Sequence, residues 1–299
     1  MHIIGFGKVV QRFLHLRGML NNPPAIKVYT RRVQVGLETY RKVSFDMLEN
    51  YRPAAQDITF LCCSADEQQI LSLSGADSRL QVAKANLAIV SSLIDRGFFR
   101  EGTVFVLTNP SEVIAEYLWQ KTHNNQIFAL GLSHDFRRYK SIFSKLGVHD
   151  EHISSFKLNG NHWDFPVAVV AEHSALHKEL SQVFGTPHMN SLVHQLGIML
   201  SEEIQKEFLG CRPPIESGAQ ALMDVSHAQS LYQSVLLSGP DAALNTFVAG
   251  SLQFQREGMS FEPSSGACVQ DIVDKVRLRH KKVVAELIMS SPINHRGHC

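Results

Sequence analysis

Residues 131–164 begin GLSHDFRRYK and end LNGNHWD, and these two runs decide how the chain is read. In the first, Asp135 and Arg138 stand one helical turn apart, so both project from the same side of an element. In the second, His162 emerges from a Gly- and Asn-rich turn, Gly160-Asn161-His162-Trp163-Asp164. A guanidinium pairs a carboxylate through two parallel hydrogen bonds, which fixes orientation as well as charge. An imidazole titrates near neutrality, and an adjacent carboxylate holds its tautomer and stabilises the imidazolium. Together these groups suit the gripping and protonation of an α-oxo acid. His134 is a rival imidazole beside Asp135, but choosing His162 leaves Asp135 free to act as its partner.

Outward from this stretch, short apolar runs alternate with helical stripes. His2 to Gly5 reads as a strand, Gly5-Phe6-Gly7 as a tight turn and Val9 to Leu16 as a helix. That succession places backbone N–H groups and a helix N-terminus at a pyrophosphate, with Gly5 and Gly7 as its cradle. Val10 stands where a third small residue belongs, which predicts looser helix–strand packing or a shifted pyrophosphate. The next strand, Ile26 to Tyr29, ends in Thr30-Arg31-Arg32. A site for NAD places an acid here, whereas a 2′-phosphate needs that acid gone and an Arg nearby. Thr30, Arg31 and Arg32 therefore favour NADP over NAD. Further strands are read at Ile58 to Leu61, Val104 to Leu107 and Ile127 to Leu130. Between them lie a helix from Leu80 to Ile94, with Gly97 as its stop, and another from Ser111 to Trp119. Strands alternating with helices indicate a parallel, doubly wound sheet. Between Thr30 and Ile58 there is room for only one or two brief elements.

The landmarks resemble the lactate/malate dehydrogenase family. Asp135 and Arg138 match its Asp-x-x-Arg segment, and the His162 turn matches its Gly-x-His-x-Asp, although Trp163 stands where the family has Gly. Thr108-Asn109-Pro110 matches the strand-end Asn beside the nicotinamide, and Asp77-Ser78-Arg79-Leu80 the segment after the mobile loop. The resemblance implies an α/β fold in which a Rossmann-type doubly wound parallel sheet is followed by an α+β substrate domain. Residues 1–131 would be the dinucleotide-binding domain, trimmed after its second strand, and 132–299 the substrate and catalytic domain. It also implies NAD(P)-dependent, reversible reduction of a 2-oxo acid to a 2-hydroxy acid. His162, paired with Asp135, would donate the proton, Arg79 polarise the carbonyl and Arg138 hold the carboxylate. Asn109 would sit at the nicotinamide, Ser217 would line the substrate pocket, and the chain would assemble as a homodimer or homotetramer.

In the family, the segment matching Ser64 to Ala76 closes over the substrate. Here it reads SADEQQILSLSGA, without Arg or Lys, so a second carboxylate is disfavoured and an uncharged side chain expected. Downstream, Met189 to Phe208 reads as a helix capped near Gly210, Ile215 to Ala219 as the start of another, and residues 235–262 as a β-meander. Val269 to Ile288 reads as a closing helix, and Asn294 to Cys299 as a disordered tail. A dehydrogenase-like protein reused for binding or regulation, without catalysis, is the alternative. A related NAD-dependent glycosidase would need a Cys/His metal site that the spacing does not supply.

Composition narrows the partners. With 44% apolar and 19% charged residues and a net charge of +1, nothing favours nucleic acid or an anionic membrane. No apolar run approaches a membrane span. MHIIGFGKVV enters a strand-and-turn pattern at once, which argues against a secretory signal. Five scattered cysteines, Cys62 and Cys63 adjacent, fit a reducing cytoplasm.

Overall fold

A computed structural model of the chain describes residues 1–31, 40–65, 78–153, 155–160, 162, 166–209, 215–244, 246–256, 258–264, 282 and 285–286. Arg32, the lid segment from residue 66, Asp77, Asn161, Trp163, Asp164, Gly210, nearly all of 269–288 and the tail lie outside the described residues.

The apolar runs form β1 (His2–Ile4), β2 (Ile26–Thr30), β4 (Ile58–Leu61), β5 (Thr103–Val106) and β6 (Ile127–Ala129), with β3 (Val43–Met47) at the edge. All pair in parallel, in the order β3-β2-β1-β4-β5-β6. Every residue of β4 and β5 is buried, as expected of parallel strands covered on both faces. Among the described residues, the segment between β2 and β4 supplies β3 and a 3₁₀ turn (Leu48–Asn50).

Helices α1 (Lys8–Gly18), α2 (Ser78–Asp95) and α3 (Ser111–Thr122) cover this sheet. The stripe predicted on α2 points inward: Ala83, Leu87 and Val90 are buried in the central core, with Leu80 and Ile94 packed at its margin. Gly97, at φ +84°, ends it with its N–H on the Ile94 carbonyl. Val10 corrects one expectation. It is fully enclosed among Ile3, Phe13, Val28 and Phe60, so packing at this turn is closed rather than loose.

The second half contributes α4 (Gly131–Lys145), a two-stranded ribbon of β7 (Lys157–Asn159) and β8 (Val167–Val169), then α5 (Ala175–Phe184), α6 (Met189–Leu209) and α7 (Ile215–Leu231). Helix α5 was not anticipated; Ser174 caps it by accepting from the His177 N–H, and Gly185 ends it. The meander is β9 (Ser234–Asp241), β10 (Thr246–Gln255) and β11 (Gly258–Pro263). It does not stand apart. β9 pairs antiparallel with β6 through Ala129 and Ser238, extending the parallel sheet to nine strands.

Candidate active site

The C-terminal ends of the parallel strands form the site, the usual place for ligands in an open α/β sheet. At β1, β2 and β4 a cleft of about 570 Å³ opens between the glycine turn and α2. Gly5, Gly7, Thr30, Arg31, Cys63 and Ser64 line it. Gly5 has φ +103°, and a Cβ there would lie 2.7 Å from the Cys63 nitrogen, so only glycine lets the turn approach β4. Gly7 is the N-cap of α1 and brings no side-chain cap, leaving the first amides of the helix to a ligand. Burial pushes the Cys62 and Cys63 thiols up, Cys63 to about 11, so neither is a ready nucleophile.

Strand ends β4 and β5 are tied together beside this cleft. Asn86, fully buried on α2, accepts from the Ala65 N–H at 2.6 Å and donates to the Asn109 carbonyl at 2.5 Å. The Thr108 hydroxyl donates to the Cys63 carbonyl at 2.6 Å. Asn109 itself is exposed.

The second centre joins α4 to the turn after β7. Asp135, completely buried, receives Arg138 Nη1 on Oδ1 at 2.8 Å and meets His162 Nδ1 with Oδ2 at 2.7 Å. One carboxylate therefore holds both the guanidinium and the imidazole. Burial alone would lower the His162 pKa, but the charge and hydrogen bond of Asp135, helped by Glu112, raise it above its ordinary 6.5. Burial would raise the Asp135 pKa, yet His162 and Arg138 hold it below the carboxylate norm. With Nδ1 committed to Asp135, Nε2 is the nitrogen that can exchange a proton with a ligand. The neighbouring Arg137 is engaged elsewhere, in a two-pronged pair with Asp224 of α7.

Other predicted residues are only partly placed. Arg79 lies in the first turn of α2, and its side chain is outside the described residues. Ser217 lies in the first turn of α7, next to Gly218, where an added Cβ would meet Val9 at 3.0 Å.

Two residues that shape the candidate site were missed. Glu112, completely buried, accepts the His162 backbone N–H at 3.2 Å, and the Ser111 hydroxyl donates to its other oxygen at 2.9 Å. Its place two residues after Pro110, opening a helix at the strand end, was the available signal. Gly131 begins α4 where a Cβ would lie 2.6 Å from Glu112 Oε1, His162 Cβ and Ser111 Oγ alike. A glycine is required for the helix to approach the His turn.

No family model and no curated protein sequence matches the chain. Solved structures do. Malate dehydrogenase from Plasmodium falciparum is similar at TM-score 0.73 and 13% identity, covering 96% of this chain and 97% of that one. Lactate dehydrogenase from Cryptosporidium parvum, solved with lactic acid and nicotinamide adenine dinucleotide, gives TM-score 0.73 at 13% identity over 97% and 98%. Malate dehydrogenase from Aeropyrum pernix gives 0.69 at 16% over 99% of both. This chain has the lactate/malate dehydrogenase fold. Similarity along both chains means that the dehydrogenase fold includes the β7–β8 ribbon and the meander along with the doubly wound sheet. The His162–Asp135–Arg138 cluster and the cleft at β1, β2 and β4 sit on that one scaffold.

Proposed function

We propose that the chain is an oxidoreductase that interconverts 2-oxo and 2-hydroxy acids with a nicotinamide dinucleotide, NADP in preference to NAD. The observation that carries this reading is the single buried carboxylate, Asp135, holding both Arg138 and His162. The residues present fit the cofactor: a turn whose Gly5 tolerates no Cβ, an uncapped helix N-terminus and a cleft of about 570 Å³ lined in part by Arg31. When bound, that group supplies or accepts the hydride. In this reading residues 1–131 hold the cofactor, residues 132–299 hold the substrate, and the chain works as a dimer or tetramer.

The protein's own part is binding, orientation and proton movement. Arg138, held by Asp135 through Nη1, would pair the substrate carboxylate, the anion its planar guanidinium matches best. His162 Nε2 delivers a proton to the oxygen formed at C2, and Asp135 stabilises the imidazolium until transfer. Arg79 would lean on the same oxygen as charge develops there. The reverse reaction returns the proton to His162.

The test is oxidation of NADPH and NADH against a panel of 2-oxo acids. Turnover is expected with at least one of them, and His162→Ala should lower it by orders of magnitude while cofactor binding persists. Cofactor binding without turnover of any 2-oxo acid would instead favour a dehydrogenase fold reused for binding.

A further inference from the structure

One wall of the cofactor cleft is made by α2 and the residue that follows it. Ile89, Leu93 and Arg96 stand four and three residues apart, the spacing of a single helix face, and all three line the cleft. Leu48 lines it as well, and with Ile89 and Leu93 it offers apolar surface suited to the flat faces of a purine. Two guanidiniums, Arg31 and Arg96, share this space, and among the described residues no Asp or Glu lines it. Both arginines are exposed, and neither has an ion pair among the described residues. Burial raises the Cys63 pKa, and the charge of Arg31 is near enough to draw it partly back. The Arg96 guanidinium lies 5.3 Å over the ring of buried Phe98. Stacked by its face, a guanidinium keeps the N–H groups around its edge for an anion.

Resting on the NADP reading of this cleft, we propose that Arg96 is a second specificity-determining residue for the cofactor, closing with Arg31 on the 2′-phosphate of the adenosine ribose. The glycine turn and the N-terminus of α1 receive the pyrophosphate, and the apolar wall receives the adenine. The two arginines are left for the remaining phosphate. A phosphate monoester carries about two negative charges at neutral pH, which two guanidiniums match. A ribose hydroxyl gives them no charge to pair.

Calorimetric titration of the protein with each dinucleotide tests this without reference to turnover. The wild type is expected to bind NADPH more tightly than NADH. Arg96→Ala should weaken NADPH binding by about tenfold to a hundredfold and leave NADH binding near the wild-type value, which also shows that the variant is folded. Arg96→Lys should keep part of the preference, since an ammonium retains the charge without the fork. Adenosine 2′,5′-bisphosphate should show the same loss in Arg96→Ala, and adenosine 5′-monophosphate none. An equal loss for both dinucleotides would put Arg96 at a group they share, and a preference that survives Arg96→Ala would leave Arg31 alone at the phosphate; either result overturns the proposal. Equal affinities in the wild type would remove the NADP reading itself, and this inference with it.

Discussion

At the scale of single residues, the site is a problem in placing charge without water. Asp135 is buried against His162 and Arg138, whose charges and hydrogen bonds outweigh the cost of its burial and hold its pKa low. The His162 pKa stands above 6.5, so the protonated donor persists to higher pH than in a free imidazole. Reduction of the 2-oxo acid should therefore fall as pH rises through that raised value, on a limb displaced above that of a free imidazole. Oxidation of the 2-hydroxy acid, which needs the neutral ring, should rise over the same interval. Glu112→Gln keeps the shape and the acceptor for the His162 N–H but removes one of the charges that raises the His162 pKa. Its descending limb should move to lower pH; a profile superimposable on wild type would mean that Glu112 only holds the turn. Stability carries an opposite signature. His134 is lowered to about 3 when folded and Asp135 is also lowered, so the unfolded chain binds more protons in acid. Both groups contribute stability that is present at neutral pH and lost as pH falls, starting near 6.5 for His134.

At the scale of elements, α4 decides what the site contains. Its inward positions carry Leu132, Tyr139, Ile142 and Phe143 into a core beneath β7 and β8, and this rotation turns Asp135 and Arg138 toward the His turn. The same rotation sends Arg137 to Asp224 on α7. Gly131 sets how near the helix comes. Gly131→Ala would place a methyl 2.6 Å from His162 Cβ and from Glu112 Oε1, and overpacking of this kind costs about 1–3 kcal/mol. Turnover should drop further than cofactor affinity, and thermal melting should fall by several degrees. Full activity in that variant would show that the contact relaxes freely.

In the proposed reading, the end of β2 would set the cofactor preference. Thr30 brings no acid to repel a 2′-phosphate, and Arg31 lines the cleft beside it. A charge-assisted hydrogen bond there is worth about 1.5–3 kcal/mol, roughly tenfold to a hundredfold in affinity. Calorimetric titration should find NADPH bound more tightly than NADH, and Thr30→Asp with Arg31→Ala should reverse the order. Equal affinities in the wild type would make Arg31 a solvated loop residue.

At the scale of the whole molecule, buried carboxylates join the two halves. Glu116, 2% exposed on α3, accepts from the Thr246 hydroxyl at 3.0 Å and the Phe247 N–H at 3.3 Å, pinning β10 to the parallel sheet's covering helix. One turn earlier, Glu112 accepts from Ser238 on β9 at 3.5 Å. Glu116→Leu would strand a buried hydroxyl and a buried N–H, at about 1–3 kcal/mol each. Urea unfolding should show a lowered midpoint; an unchanged midpoint would mean that water or neighbouring groups replace the carboxylate.

Much of this was legible in the chain because it is local. Strand runs such as Ile58 to Leu61, the α2 stripe and the one-turn spacing of Asp135 and Arg138 depend on neighbours a few residues apart, where backbone periodicity alone sets direction. What needed the fold is non-local. The His162–Asp135 bond joins residues 27 apart, and Glu112 reaches the His162 N–H across 50. That the meander continues the parallel sheet rests on one register, Ala129 against Ser238. Val10 read as a defect in a motif, but surrounding side chains make it core. The amino-acid sequence by itself determined the strands and helices of the parallel sheet, the sheet class and the pair of residues on α4. Only the tertiary structure decided which buried groups meet, because those meetings follow from how apolar faces pack against one another.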